Sequence, residues 1–428
     1  MQILDILALF IFLAGVFIYI NTYYLKLPSS VGLMILALGL SLALLILNEL
    51  IPEFKLGTER ILKDYDYHEV LYQLVLSFLL FAGALQIDFK KLAEERTAVI
   101  ILAFVGVIIS TAIVGVSVYY LLDWIGLELD MMYCLVFGAL ISPTDPIAVS
   151  ATIRKYNLSK NLETRIAGES LFNDGIAVVM ALTLLDLAHS GEDHYIGPVD
   201  ILWVFGTDII GGIIIGLFLG YLGYRLLKYI DNDEVEVEVL MTLALVMAGT
   251  QLAEFTHVSA KQAVVIMGLV IGNEGKSGHV TSAAGDYVFK FWYLIEETLS
   301  AMLFVLIGLE MLIIPLRYDY FAAGLFAYII VLAARYISVG APIAAMSTFR
   351  KFEGNTINVL AWGGLRGGIP IALSLSLPDF EGKEIIITMT YTVVVCSVLY
   401  QGLTIPHLMR TTFNDKKPQQ PKTKSSHS

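Results

Sequence analysis

Charged residues are scarce in this 428-residue chain: Asp, Glu, Lys and Arg make up 15%, against 57% hydrophobic residues, and the mean hydropathy is +0.75. A soluble core cannot bury that much apolar surface, so the balance points to a polytopic membrane protein. Cysteine is nearly absent. Cys134 and Cys396 both fall inside apolar runs, which excludes a disulfide framework and a cysteine metal site and reads as packing. Histidine is equally thin. The seven (His68, His189, His194, His257, His279, His407, His427) lie mostly in loops or at span ends, without the pairing inside spans that a membrane redox enzyme would need. The first residues lack the basic region and small-residue cleavage site of a signal peptide, so the stretch from Ile3 onward reads as a span. The net charge of −12 comes largely from acids in loops such as 127–130 and 231–238 and says little about nucleic acid.

What is present is a succession of apolar runs, each about 20 residues long, the length that crosses a bilayer as a helix. Thirteen are expected, at 4–24, 30–51, 70–87, 97–122, 131–153, 161–187, 200–229, 235–254, 258–273, 288–310, 319–345, 354–378 and 385–409. The fold class is therefore an all-α polytopic membrane protein. An odd count places the termini on opposite sides. With the C-terminus in the cytoplasm, cytoplasmic segments hold nineteen Lys and Arg and external ones five, an asymmetry that predicts N-terminus outside and C-terminus inside. The polar, lysine-bearing tail 411–428 has the composition of a disordered cytoplasmic end.

Charge inside the spans is the functional signal. A charged side chain near the bilayer centre costs roughly 2.5–3.5 kcal/mol on insertion scales, so such groups pair, face water or do work. Glu169 and Asp174 lie within Gly168-Glu169-Ser170-Leu171-Phe172-Asn173-Asp174-Gly175 of the sixth span. Asp145 interrupts the fifth in Ser142-Pro143-Thr144-Asp145-Pro146. Arg366 stands among Gly363, Gly364, Gly367, Gly368 and Pro370 of the twelfth. Proline removes an amide donor and glycine frees the backbone, so spans five and twelve are expected to break near mid-membrane. As the fifth helix of each of two six-helix units, they mark an inverted-repeat transporter whose site lies where the broken helices cross.

Asp145 there offsets the helix N-termini and Arg366 the C-termini. At ~100° per residue, Ser170 and Asp174 share one face of span six while Glu169 and Asn173 share another. Asp174 with Ser170 is the better candidate for direct ion contact. Glu169 needs a partner at its own depth, and Arg335, in the apolar run 331–337, is the obvious one. Duller readings suit other residues. Glu296, Glu297 and Glu310 read as solvated span ends, Glu254 is expected to pair with Lys261, and Tyr23, Tyr24, Trp124 and Trp292 are expected to anchor at the membrane interface.

The segments around Thr144-Asp145 and Glu169-to-Asp174, with Leu306-Ile307-Gly308-Leu309 and Trp362-Gly363-Gly364-Leu365-Arg366-Gly367, resemble the signatures of the monovalent cation:proton antiporters of the NhaP and Na+/H+ exchanger type. The resemblance runs in order from span four to span thirteen. It implies a homodimer in a prokaryotic cell membrane, with an ion-translocating core from 97–187 and 319–410, a dimerisation scaffold from 1–87 and 235–310, and a connecting helix at 200–230. It further implies Asp174 as the ion- and proton-binding aspartate, Asn173 as its uncharged neighbour, Ser170 and Thr144 as assisting ligands, Asp145 as the acid of the unwound helix, and Glu169 with Arg335 as a stabilising pair. No enzyme activity and no cofactor are implied, only transported Na+ or Li+ and H+. Oxygen ligands leave K+ open as a substrate. A channel sits poorly with two mirrored broken helices, and a sodium-coupled organic-acid symporter of the same fold would differ in needing an organic substrate.

Overall fold

In hydrocarbon, a chain must satisfy its own amides and carbonyls, and a helix does so within one segment. The computed structural model of the protein describes residues 3–50, 65–146, 149, 153, 159–189, 198–229, 235–274, 282–312, 314 and 317–413, and the secondary structure among them is helical apart from one isolated backbone bridge. The helices are α1 (Ile3–Ile20), α2 (Ser29–Leu50), α3 (Tyr65–Gln86), α4 (Phe89–Ile125), α5 (Met131–Leu140), α6 (Lys160–His189), α7 (Pro198–Tyr229), α8 (Val235–Phe255), α9 (Ala260–Glu274), α10 (Ser282–Glu310), α11 (Tyr318–Met346), α12 (Thr356–Gly363), α13 (Ile369–Leu375), α14 (Lys383–Cys396) and α15 (Gly402–Phe413). Each of the thirteen apolar runs carries at least one of them. Among the described residues, nine segments are long and apolar enough to cross a membrane, and three shorter apolar helices lie in α3, α5 and α9. The tail from 414 onward, and with it most of the segment expected to be disordered, lies outside the described residues.

Local chemistry sets several ends. Asp88 opens α4, its carboxylate accepting from the amides of Lys90 (3.0 Å) and Lys91 (3.4 Å), and Gly126 closes it in the left-handed region at φ 83°. At 37 residues α4 is about 55 Å long, well beyond a ~30 Å hydrocarbon layer, and its charged first turns, Lys90 to Arg96, take up part of that excess. Of two π turns, Asn21–Leu25 ends the first span, with Lys26 left-handed after it, and Ser397–Gln401 puts an extra residue into the otherwise continuous helix of α14 and α15.

α4 packs along α5, α6 and α11, and α11 along α14. A second set joins α3 to α9 and α10, and α2 to α10. α7 packs chiefly on α9 and touches α6 as well. The second set closes around Trp292 of α10, which is 0% exposed, edge-on to Phe81 at 4.6 Å and Phe78 at 5.6 Å, and donates from Nε1 to Thr242 Oγ1 at 3.0 Å. Trp292 is thus a core residue and not the interface anchor expected of it: Thr242 satisfies its only polar group, so nothing draws it to the headgroups. Tyr23, Tyr24 and Trp124, by contrast, are exposed at 63%, 74% and 76%.

Candidate functional site

The fifth span unwinds where its prolines begin. α5 ends at Leu140, the amides of Ile141 and Ser142 turn back to Phe137 and Ala139, and Ser142 Oγ donates to the Gly138 carbonyl at 2.7 Å. Pro143 and Pro146 have no amide to continue the ladder. The twelfth span breaks between α12 and α13. A Cβ on Gly364 would lie 2.6 Å from Arg335 Nε, so only glycine lets the chain pass the guanidinium here. The two unwound segments run antiparallel and complete each other: the Asp145 amide donates to the Leu365 carbonyl at 2.7 Å.

α6 crosses beside them with two buried acids in different circumstances. Glu169, 1% exposed, is gripped in bidentate fashion by Arg335 of α11, Nη1 to Oε1 and Nη2 to Oε2 both at 2.7 Å. Arg335 Nη2 also donates to the Leu360 carbonyl at 3.3 Å, which ties the pair to α12. Asn173, one turn on, donates from Nδ2 to Glu169 Oε1 at 3.1 Å and to Thr144 Oγ1 at 2.9 Å. Thr144 Oγ1 in turn lies 2.9 Å from Ser170 Oγ. Glu169, Asn173, Thr144 and Ser170 therefore form one buried hydrogen-bonded group spanning α6 and the first break.

Asp174, 7% exposed, adjoins this group, and its Oδ1 has no hydrogen-bond partner. A buried carboxylate oxygen without a donor is costly and invites a cation or a proton. Its electrostatic neighbours are the negative Asp145 and Glu169 and the positive Lys261. The expected pairing of Lys261 with Glu254 is not made; Glu254 instead accepts from Gln251 Nε2 at 3.3 Å. The cause is the turn between α8 and α9, where His257 is left-handed (φ 54°) and α9 restarts against α6, its Gln262 filling the space over Gly175. The first turn of α9 thereby puts the Lys261 charge within electrostatic reach of Asp174, a neighbour that sequence reasoning missed. Its one signal is a lysine inside an apolar span.

Arg366, 2% exposed, closes the other side of the crossing. Its Nη1 donates to the Ser142 and Pro143 carbonyls at 2.5 and 3.1 Å, the groups left open where α5 ends. Asp145 is half-buried and lines, with Asp174, Thr144, Gly367 and Pro370, a cavity of about 450 Å³. The cavity is also lined by Asp88, Lys91, Lys160 and Glu163 at the beginnings of α4 and α6, and by Glu296 and Glu297 of α10. Among the described residues no group of three or more His, Cys, Asp or Glu is placed to hold a metal ion. The donors that do meet near Asp174, carboxylate and hydroxyl oxygens, suit a hard monovalent cation as passing cargo.

Several known proteins resemble this chain over most of its length. The family model described as sodium/hydrogen exchanger, transmembrane, matches residues 8–411. The Na+/H+ antiporter NhaP of Pseudomonas aeruginosa is 42% identical over 415 residues, covering 96% of this chain and 97% of that protein. The Na+/H+ antiporter NhaH of Halobacillus aidingensis is 32% identical over 393 residues, 90% of this chain and 92% of its own length. Among solved structures, the sodium proton antiporter MjNhaP1 from Methanocaldococcus jannaschii at pH 8 superposes with a TM-score of 0.75 at 20% identity, covering 96% of this chain and 98% of that one.

Proposed function

The chain belongs to the sodium/hydrogen exchanger family, a family of transporters, and from that premise we propose that it is a secondary active Na+/H+ antiporter that also accepts Li+, with Na+ and H+ competing for Asp174. The observation that carries the reading is the Asp174 carboxylate: buried, with Oδ1 unpartnered, beside the Thr144 and Ser170 hydroxyls and at the head of a cavity. Na+ or H+ neutralises the same carboxylate, so each excludes the other. If the core crosses easily only with Asp174 neutral, exchange is obligatory and alternating access follows. The α4–α6 and α11–α15 helices are the moving core in this reading, α1–α3 and α8–α10 the dimer scaffold, and α7 the connector.

Thr144 and Ser170 assist the ion, Asn173 holds Thr144 and cannot itself take a proton, and Glu169 with Arg335 braces the core. Arg366 caps the open carbonyls of the first break. The excess of basic residues supports a cytoplasmic position for the beginnings of α4 and α6, and in this reading the cavity leads from Asp174 toward the cytoplasm. With one switching carboxylate, one Na+ is traded for one H+ and the exchange is electroneutral. NhaP- and NhaH-named relatives of bacterial origin support placement in a prokaryotic cell membrane and a role in sodium and pH homeostasis.

The test is a pH-gradient assay in proteoliposomes. Adding Na+ or Li+, with no organic acid present, is expected to move protons, and K+ to move fewer. A requirement for an organic substrate would make the protein a symporter, and K+ outperforming Na+ would make it a K+/H+ antiporter.

A further inference from the structure

The last span is bound to the second break at three points, none of which the ion-site reading uses. Ser397 Oγ accepts from the Arg366 amide at 3.0 Å and donates to Gln401 Oε1 at 2.7 Å. Gln401 Nε2 donates to the Trp362 carbonyl at 3.0 Å. Trp362 Nε1 donates to Thr404 Oγ1 at 2.9 Å. Ser397 is 0% and Gln401 3% exposed, so these bonds are made away from water. Trp362 stands near the end of α12 and Arg366 within the break, and the Arg366 guanidinium continues the path to the Ser142 and Pro143 carbonyls, next to Thr144.

Ser397 and Gln401 are the first and last residues of the π turn. In an α-helix, residues four apart share a face and residue i+4 donates its amide to i; an inserted residue rotates the C-terminal part of the helix by ~100° relative to the N-terminal part. The π turn thus decides which side chains of the last span meet the break. On its other side, Gly402 comes so close to α2 that a Cβ there would lie 2.6 Å from Val31 Cγ2.

We propose that the π turn Ser397–Gln401 is a positioning element of the ion site: Gln401 holds the backbone at the end of α12 and Ser397 holds it within the second break, so that the Arg366 guanidinium keeps the unwound Ser142-Pro143-Thr144 segment in place for cation binding. The inference rests on the reading of Asp174 and Thr144 as the ion site. Because the two residues touch neither ion nor proton, their loss acts on cation affinity through Thr144 and leaves turnover at saturating Na+ close to the parent's.

The experiment measures Na+-dependent proton flux in proteoliposomes for Ser397→Ala, Gln401→Leu and the double variant, with Asp174→Asn alongside. Loss of one buried hydrogen bond to the break is expected to raise the half-saturating Na+ concentration about 10-fold in either single variant, with maximal flux within about 2-fold of the parent's. As both residues act through one network, the double variant is expected to be no worse than the poorer single. Unchanged half-saturation in Ser397→Ala, or additive losses in the double variant, would overturn the proposal. Should Ser397→Ala fail to fold, Ser397→Cys keeps the shape with a weak acceptor and is judged by the same shift in half-saturation. If Asp174→Asn still exchanges Na+ for H+, the ion-site reading itself has failed and takes this inference with it; if Asp174→Asn is inactive and Ser397→Ala behaves as the parent, only the positioning role is lost.

Discussion

Glu169 and Asp174 lie five residues apart on α6, about 7.5 Å along its axis, and both are buried. Their surroundings differ. Glu169 has both oxygens matched by one guanidinium and a further bond from Asn173, whereas Asp174 has an oxygen without a donor and opens on a cavity. A carboxylate with both oxygens already held by charged and amide donors has little to offer an ion, and removing its partner leaves a buried charge uncompensated. A carboxylate left short can be completed by either of two cations in turn. The proposed division of roles, architecture for the first acid and exchange for the second, rests on hydrogen bonding and on access to the cavity, since burial and helix are shared.

The sharpest way to break it is Asp174→Asn. The amide keeps shape and loses the charge, so all measurable exchange of Na+, Li+ and H+ is expected to vanish while size-exclusion behaviour and melting temperature stay near the parent's; retained Na+-dependent proton flux would transfer the carrier role elsewhere. Next in size is Arg335→Ala, which strands Glu169 without its partner and is expected to destabilise the fold by about 3–5 kcal/mol, as breaking a buried pair does. Adding Glu169→Gln is expected to recover a good part of that loss in a thermal-shift assay in detergent. Simple additivity in this double-mutant cycle would argue that the contact has little energetic weight.

Lys261→Ala tests the neighbour that only the structure disclosed. Removing a positive charge near Asp174 is expected to lower the half-saturating Na+ concentration by about 5-fold near neutral pH, equivalent to ~1 kcal/mol of Coulomb energy in a partly polar setting. No change would mean that water screens the lysine from the site. The smallest expected effect is zero. With one switching carboxylate, a K+/valinomycin clamp near 100 mV, worth about 2.3 kcal/mol per net charge moved, is expected to leave the equilibrium Na+-driven pH gradient where it was, once K+ is shown not to be carried. A displaced gradient would show that a second proton travels, with Lys261 and Asp145 the titratable neighbours of Asp174 to be tested as its source.

Much of the scaffold was legible because its signals are local. Apolar length marks each span, and Pro143, Pro146 and the glycines from Gly363 to Gly368 mark the breaks through their own backbone chemistry. Glu169 and Arg335 are matched by depth alone, each deep in an apolar run, and the structure sets them 2.7 Å apart. What was not legible depends on which way a helix is turned. Trp292 reads as an anchor or a core residue according to rotation about α10, and Lys261 as a partner of Glu254 or a neighbour of Asp174 according to the turn at His257. The π turn at Ser397 has no residue signature at all: Ser-Val-Leu-Tyr-Gln is as compatible with a regular helix.

The cavity below Asp174 also bears on how one ion is told from another. At about 450 Å³, and with each water occupying ~30 Å³ in the liquid, it has room for on the order of ten waters. In the proposed reading, a cation entering from the acidic rim keeps its hydration shell almost to the end of its path. Stripping of that shell is confined to the last step, where the Asp174 carboxylate and the neighbouring hydroxyls must replace lost waters one for one. Discrimination by size therefore falls on a few oxygens held by the Asn173 bridge, and substitutions around the rim are expected to change how fast ions arrive without changing which ion is preferred.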